Sequence, residues 1–102
     1  MYVREEPEFD AVFAANDLSA ISAVRALNAS GRAVPQDVAV VGFDDIPTAA
    51  HSNPALTTVR QDLRRGAELL VGLVLRRLEG EETASQVLPA ELIVRESSAP
   101  RR

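Results

Sequence analysis

Short apolar runs alternate with amphipathic segments along the chain, a pattern typical of α/β proteins. Residues 11–15 and 38–41 are apolar without polar alternation, which favours strands that are buried on both faces of a parallel sheet. Residues 56–59 are rich in β-branched side chains and predict a third strand, and residues 88–94 predict a fourth. The predicted order, β-α-β-(short α)-β-α-β, indicates a parallel sheet with right-handed crossovers.

Two of the segments between the predicted strands have the apolar periodicity of helices. The first extends from Leu18 to Ala29, with Asp17 as its expected N-cap and Gly31 after its end. The longest helix extends roughly from Leu63 to Glu79, and Asp62 is its expected cap. The apolar stripe of this long helix consists of Ala67, Leu70, Val71, Val74, Leu75 and Leu78.

Composition places the chain among globular proteins of single-domain size. It has 102 residues, of which 46% are hydrophobic and 25% are charged, so we expect one hydrophobic core. Because the chain has no cysteine and one histidine, thiol catalysis and the usual Cys/His zinc sites are excluded, and we expect no metal and no cofactor. A net charge of −4 without a basic cluster argues against binding of a phosphate backbone by this chain alone.

The ends of the chain carry no targeting pattern. No apolar run approaches the roughly 18 residues of a membrane span, and the acidic start lacks the apolar stretch of a signal peptide. We therefore expect a cytoplasmic protein. Residues 1–9 are expected to form a polar lead-in and residues 97–102 a loose tail, on either side of a folded region over residues 10–96.

Polar side chains follow three of the predicted strands. Asn16, Asp44 and Gln61 stand where the strands end, and parallel strands would bring them to the edge of the sheet at which α/β proteins bind ligands. A carboxylate accepts hydrogen bonds from hydroxyl groups and an amide both donates and accepts, so this set suits a neutral, hydroxyl-rich molecule such as a sugar. Asp17 and Asp62 are interpreted as helix caps. For Asn16 and Asp44 the pattern alone leaves a purely structural role equally open.

Catalytic patterns are missing from the sequence. Asp44 and Asp45 are adjacent and would point apart, whereas glycosidase carboxylates must face each other across about 5 to 9 Å. There is no G-x-S-x-G elbow and no phosphate-binding glycine loop, and a lone loop histidine such as His51 is more often exposed than ligating. A phosphoacceptor receiver domain is rejected because it needs a lysine and this chain has none. We therefore expect that the protein is not an enzyme.

Four motifs in a fixed order carry a family resemblance. They are DAVFAAND over residues 10–17, VPQDVAVVGFDD over residues 34–45, PALTTVRQ over residues 54–61 and LPAELIVRES over residues 88–97. In this order and spacing they resemble the C-terminal part of the effector-binding domain of LacI/GalR (lactose/galactose repressor) transcription regulators. The resemblance covers nearly the whole chain from residue 10 onwards, and four ordered motifs are far more specific than any single one.

The resemblance implies a partial, three-layer, type I periplasmic-binding-protein-like fold. In such regulators a sugar or related metabolite is held between two lobes and changes the affinity for DNA. The family's effector-contacting positions correspond to Asn16, Asp44 and Gln61, and Asp17 and Asp45 match the motifs as structural supports.

The resemblance also implies partners. Family members form dimers partly through the helix after the first motif and the loop after the Asp-Asp pair, which implies a homodimer interface near Ile21, Arg25 and His51. The helix over residues 63–79 would belong to a lobe of which most is missing. Its apolar stripe then needs another surface, so we expect self-association as a homodimer or by exchange of this helix between copies.

A complete family member also has a helix-turn-helix module, a hinge and two complete lobes. DNA contact is therefore expected only through an N-terminal domain that this chain lacks. Two alternatives remain from the sequence. The chain could be part of a periplasmic sugar-binding protein of an uptake system, or an interaction module without a ligand.

Overall fold

The computed structural model describes residues 8–99 and divides the chain into two compact units. The first unit contains the described residues up to 60 and from 91 onwards, and the second contains residues 61–90. Residues 1–7 of the expected lead-in and residues 100–102 of the expected tail lie outside the described residues. The elements are β1 (Ala11–Phe13), α1 (Asp17–Ala29), β2 (Ala39–Val41), α2 (Pro47–His51), β3 (Thr58–Gln61), α3 (Leu63–Leu78), β4 (Ala90–Ile93) and a final 3₁₀ helix (Glu96–Ser98).

The strands β1 and β2 pair in parallel, as the alternation of strands and helices predicts. Val12 lies opposite Val40, and Phe13 lies opposite Val41. A parallel bridge joins Val41 to Thr57, just before β3, and β3 pairs in turn with β4. The predicted α/β class and the order of the elements are confirmed.

The hydrophobic core of the first unit contains residues of α1, α2 and β2. Leu27 of α1 and Val40 of β2 are fully buried, and Leu56 lies beside them before β3. Full burial of such a side chain contributes roughly 1.5–3 kcal/mol. The buried apolar residues are all small or aliphatic: Ala20, Ala23, Val24, Leu27, Val34, Val38, Val40, Ala49 and Leu56.

Helix α1 begins one residue earlier than its periodicity predicts. Its N-cap is Asn16, whose side-chain oxygen accepts a hydrogen bond from the Ser19 N–H at 2.8 Å. Asp17 is the first helical residue and is fully buried. The interpretation of Asp17 as the cap is therefore wrong, because asparagine and aspartate are both common at N-caps and the local sequence does not decide between two neighbours.

Strand β1 is not buried on both faces, contrary to the prediction from its apolar run. Phe13 is 70% exposed, and Ala11 is also exposed. Among the described strands, β1 pairs with β2 alone, so it lies at an edge. An apolar run shows that a strand tolerates burial on both faces, but the covering layer has to come from other elements, and none of the described ones provides it.

The end of the described chain is not a loose tail. Ser97 is fully buried, and its Oγ accepts a hydrogen bond from the Thr57 N–H at 2.9 Å and donates one to the Val40 carbonyl at 2.6 Å. Ser98 donates to the Thr57 hydroxyl at 2.6 Å. Phe9, which was placed in the lead-in, packs against the core. Phe9 and Ser97 thus pack with the folded region, and the sequence hides this at Ser97 because a short hydroxyl side chain looks polar and yet satisfies buried backbone groups.

The second unit contains α3 and the segment that follows it. Asp62 is the N-cap of α3 and accepts a hydrogen bond from the Arg65 N–H at 2.9 Å. A Cβ at Gly66 would lie 3.6 Å from Leu88, so the following segment folds back onto the helix. No residue of α3 is buried. Five apolar residues of the predicted stripe are 51–78% exposed: Leu70, Val71, Val74, Leu75 and Leu78.

Candidate functional site

Two of the predicted site residues stand at equivalent positions after paired parallel strands. Asn16 follows the end of β1 by three residues, and Asp44 follows the end of β2 by three. The register pairs the last residues of the two strands, and beyond them the Asp17 N–H donates to the Phe43 carbonyl at 3.1 Å. The strands therefore carry Asn16 and Asp44 to the same edge of the sheet, which is the edge at which α/β proteins bind ligands.

The third predicted residue, Gln61, is the last residue of β3 and is half-buried. The second compact unit begins at this residue, whereas Asn16 and Asp44 belong to the first unit. The structure thus brings Asn16 and Asp44 together at one edge and gives Gln61 a position at the carboxyl end of its own strand.

The exposed side chain of Asn16 combines a structural contact with free hydrogen-bonding capacity. Its oxygen accepts the capping hydrogen bond from the Ser19 N–H. The amide nitrogen of the same group carries two N–H donors that the capping contact does not use. Asn16 can therefore hold the start of α1 and donate to a ligand oxygen at the same time.

The backbone at Asp44 and Asp45 adopts a conformation that residues with a side chain seldom take. Asp44 has a φ of 117° and Asp45 a φ of 54°, and each such residue costs on the order of 1–3 kcal/mol unless its surroundings hold it. The Asp44 N–H donates to the Val59 carbonyl at 2.9 Å, and the Asp45 N–H donates to the Thr58 hydroxyl at 3.3 Å. Strand β3 therefore holds this turn through one backbone carbonyl and one side-chain hydroxyl.

Asp17 supports the same turn from α1. Its fully buried carboxylate accepts hydrogen bonds from the Thr58 hydroxyl at 2.5 Å and from the Ile46 N–H at 2.8 Å. Gly42 makes room for it, because a Cβ at Gly42 would collide with the Asp17 carboxylate. Asp17 is thus a structural support that joins α1, β3 and the turn.

Two arginines bind the carboxylate of Asp45. Arg60 Nε lies 2.8 Å from one oxygen, and Arg95 Nη1 lies 2.9 Å from the other. The hydrogen bond from Arg60, followed by that from Arg95, holds the pKa of the Asp45 carboxyl below its ordinary 3.8 against the opposing effect of desolvation. Asp45 in turn raises the pKa of Arg60. Asp45 is therefore ionised and its carboxylate accepts from both arginines.

Sequence patterns missed Arg60, Arg95 and Ser97. All three are bound to residues that are distant in the chain, and Arg60 and Arg95 lie at a strand end and in a loop where arginine is ordinary. No local pattern marks them. Only the pairing of β3 with β4 brings the strand that carries Arg60 beside the strand that precedes the loop of Arg95.

The residues that the family resemblance implied for a dimer interface lie on α1 and α2. Ile21 is half-buried, and Arg25 and His51 are exposed. Ile21 and Arg25 line a surface cavity of about 300 Å³ together with residues of α2 and the loop after it. His51, the last residue of α2, does not line this cavity.

Metal and membrane features are missing from residues 8–99. No group of three or more histidine, cysteine, aspartate or glutamate side chains is arranged there to hold a metal ion. No helix within this part of the chain has the length and apolarity needed to cross a membrane.

Comparison with known proteins identifies relatives along almost the whole chain. Residues 2–98 match the family described as "Periplasmic binding protein-like domain". The transcriptional regulator CelR of Thermobifida fusca is 47% identical over 93 residues, which is 89% of this chain and 27% of CelR. The lactose operon repressor of Rhizobium radiobacter is 42% identical over 90 residues, covering 87% of this chain and 80% of that sequence. The chain thus spans about a quarter of CelR.

Solved structures give the same picture. The complex of CelR with cellobiose superposes with a TM-score of 0.78 over 89% of this chain and 28% of that chain, at 47% identity. The lac repressor dimer bound to operator and the anti-inducer ONPF superposes with a TM-score of 0.78 over 88% of this chain and 28% of that chain, at 35% identity.

Proposed function

This chain belongs to the LacI family of transcription regulators and contains part of their periplasmic-binding-protein-like domain, and we propose that it senses a sugar or related metabolite. The observation that carries the proposal is the equivalent placement of Asn16 and Asp44 after two paired parallel strands. The bound cellobiose of the CelR structure, at 47% identity, supports this ligand class.

The proposed effector contacts follow from the chemistry of the side chains. The Asp44 carboxylate accepts hydrogen bonds from sugar hydroxyl groups, and the amide nitrogen of Asn16 donates to a sugar oxygen. Gln61 is proposed as a third contact, from the position it holds at the end of β3. A neutral, hydroxyl-rich ligand suits the hydrogen-bonding chemistry of each of these groups, whereas an anion would be repelled by Asp44.

NMR titration of the chain with cellobiose, and separately with lactose, tests this proposal. We expect saturable shifts of the Asn16 and Asp44 amide resonances with at least one sugar. Weak affinity is expected, because the chain spans 27% of CelR and contributes only part of a cleft.

Asn16→Asp keeps a capping oxygen and loses the amide donors, so sugar binding should weaken while α1 remains capped. Asn28→Asp makes the same change at the other end of α1 and should leave binding unaltered. Absence of saturable shifts with both sugars would contradict the proposal for these ligands.

We also propose that contact with DNA is made by sequence outside these 102 residues. The net charge of −4 and the lack of a basic cluster do not suit a phosphate backbone. A gel-shift assay of this chain with duplex DNA should show no complex at physiological salt, and a stable complex would contradict this part of the proposal. As part of a transcription regulator, the protein is proposed to act in the cytoplasm and to have no catalytic activity.

Self-association is proposed for two surfaces. The first is the face of α1 and α2 that contains Ile21, Arg25 and His51, which would form a homodimer interface. The second is the apolar stripe of α3, whose five large side chains are more than half exposed in this chain. The occupant proposed for the stripe is a second copy of α3, either docked or exchanged, because an identical apolar stripe is the partner surface that this chain itself supplies.

Light scattering coupled to size-exclusion chromatography tests the role of the stripe. The unchanged chain should elute above the monomer mass at micromolar concentration, and the double variant Leu70→Glu with Leu78→Glu should lower this mass. Val87→Glu is the matched control, because Val87 is 94% exposed and lies outside α3. A monodisperse monomer of the unchanged chain would refute self-association, and an unaltered mass of the double variant would leave the α1–α2 face as the interface.

A further inference from the structure

We propose that Arg95 and Arg60 are positioning residues. By binding the carboxylate of Asp45, they hold the neighbouring Asp44 carboxylate in its binding geometry. The assignment of Asp44 as an effector contact rests on the proposed function above. The role of the two arginines rests on the contacts around Asp45, which are independent of any ligand.

The turn at Asp44 and Asp45 needs external support. Both residues have positive φ angles of 117° and 54°, and such backbone persists only where its surroundings over-determine it. Three consecutive backbone N–H groups supply part of this support, since those of Asp44 and Asp45 donate to β3 and that of Ile46 donates to Asp17. The backbone contacts hold the turn on the side of β3 and α1.

The Asp45 side chain supplies the remaining support. Its two carboxylate oxygens are bound by different residues, Arg60 at 2.8 Å and Arg95 at 2.9 Å. An ionised carboxylate that accepts a charge-assisted hydrogen bond on each of its two oxygens loses its freedom to rotate, and the backbone that carries it is fixed with it. Because Asp44 directly precedes Asp45, these two hydrogen bonds set the direction in which the Asp44 side chain leaves the turn.

Arg95 is the stronger of the two positioning residues. Its side chain is 18% exposed, compared with 52% for Arg60, so its interaction with Asp45 is less screened by water. The same Nη1 atom of Arg95 also donates to the Leu56 carbonyl at 3.0 Å, which locks the guanidinium in place. Arg60 shares its charge with Glu91 at 3.7 Å.

The backbone of Arg95 is itself anchored in the first unit. Its N–H donates to the Thr57 hydroxyl at 2.7 Å, and that hydroxyl donates to the Arg95 carbonyl at 3.0 Å. The next residues form the 3₁₀ helix, whose Ser97 is buried against β2. Arg95, which binds Asp45, therefore projects from a segment that cannot shift without breaking buried hydrogen bonds.

The experiment compares Arg95→Gln, Arg60→Gln and the control Arg64→Gln in the full chain. Arg64 pairs with Glu68 on the surface of α3 and has no contact with Asp45. We expect amide hydrogen exchange at Asp44 to become at least about tenfold faster in Arg95→Gln, as expected for the loss of one charge-assisted hydrogen bond. Arg60→Gln should give a smaller increase and Arg64→Gln none. Exchange at Leu27, in the core of α1, should not change in any variant, which separates positioning from general destabilisation.

A cellobiose titration of the same variants supplies the functional readout. Arg95→Gln should weaken cellobiose binding at least about tenfold, and Arg95→Lys, which keeps the charge, should restore part of it. Unchanged exchange at Asp44 in Arg95→Gln would overturn the inference, as would equal acceleration at Asp44 and Leu27. If the unchanged chain does not bind cellobiose, the proposed ligand fails, and the exchange data alone decide the role of the arginines.

Discussion

Gly42 is a position at which the first unit leaves no room for a side chain. A Cβ placed on it would meet the carboxylate of Asp17, the Leu56 side chain at 3.0 Å and the Ala20 Cβ at 3.2 Å. All three neighbours are buried, so none of them can move out into water. We therefore expect Gly42→Ala to push the Asp17 carboxylate away from its two hydrogen-bond donors and to disturb the turn that carries Asp44.

The size of the effect follows from two contributions. Overpacking of a buried site costs about 1–3 kcal/mol. A buried donor that loses its acceptor costs about 1–3 kcal/mol more, and the Asp17 carboxylate serves the buried Thr58 hydroxyl and the part-buried Ile46 N–H. Even with partial relaxation, Gly42→Ala should lower the free energy of unfolding by roughly 3 kcal/mol. For a domain of this size, the thermal midpoint should fall by more than about 10 °C.

Thermal and urea unfolding, followed by far-ultraviolet circular dichroism, measure this change. Gly72→Ala is the matched control, because a Cβ at Gly72 meets nothing within 4 Å and glycine inside a helix is about 0.5–1 kcal/mol less stable than alanine. The same chemical change should therefore destabilise the chain at Gly42 and not at Gly72. Amide exchange at Ile46 should also become faster in Gly42→Ala, since its acceptor is the Asp17 carboxylate.

Two outcomes would contradict a steric clash at Gly42. A fall of the thermal midpoint by less than about 2 °C in Gly42→Ala would show that the site accommodates the added methyl group despite the short distances to its neighbours. A double variant that adds Asp17→Ala gives a second criterion. Both changes break the same hydrogen bonds. The double variant should therefore lose less unfolding free energy than the sum of the losses in the two single variants, and strict additivity would contradict the mechanism.

Two further predictions concern pH and the end of the chain. The pKa of Asp45 is lowered in the folded state, so the stability that its carboxylate contributes is present above its ordinary pKa of 3.8 and is lost as the pH falls through the lower folded value. Unfolding of the chain and of Asp45→Asn should therefore differ at neutral pH and converge at low pH, and a constant difference across the titration would contradict this. Ser97→Ala should lower the unfolding free energy by about 1–3 kcal/mol, because it leaves the Thr57 N–H and the Val40 carbonyl without their buried partner. Ser22→Ala on the exposed surface of α1 is the control and should change stability by less than about 0.5 kcal/mol.

The elements of this fold could be predicted because their patterns are local. The apolar periodicity of α3 predicted its range to within one residue, and the apolar run before Gly42 predicted β2. Boundaries were less accurate where two neighbouring residues have the same preference, as Asn16 and Asp17 do at the start of α1. Burial of β1 could not be predicted, because it depends on a layer that the strand does not contain.

The candidate site could be predicted in part for the same reason. The carboxyl ends of parallel strands follow from the order of strands and helices, so the positions of Asn16 and Asp44 at one edge could be expected from the sequence. Their supporting residues could not, because Arg95 and Ser97 reach the turn and β2 from the far end of the chain. Contacts between distant residues leave no periodic trace in a sequence.

The α/β class, the family and the residues at the strand ends follow from the amino-acid sequence, because each depends on local periodicity or on motifs in a fixed order. What holds those residues in place became defined only in the folded chain. Folding supplied the partners of the two expected supports: the buried Asp17 carboxylate accepts from Thr58 and is not the helix cap, and the Asp45 carboxylate is held by two arginines. It also buried the serine of an expected tail and left the stripe of α3 exposed. These outcomes depend on which distant surfaces meet, and burial and pairing become defined only when the chain has folded.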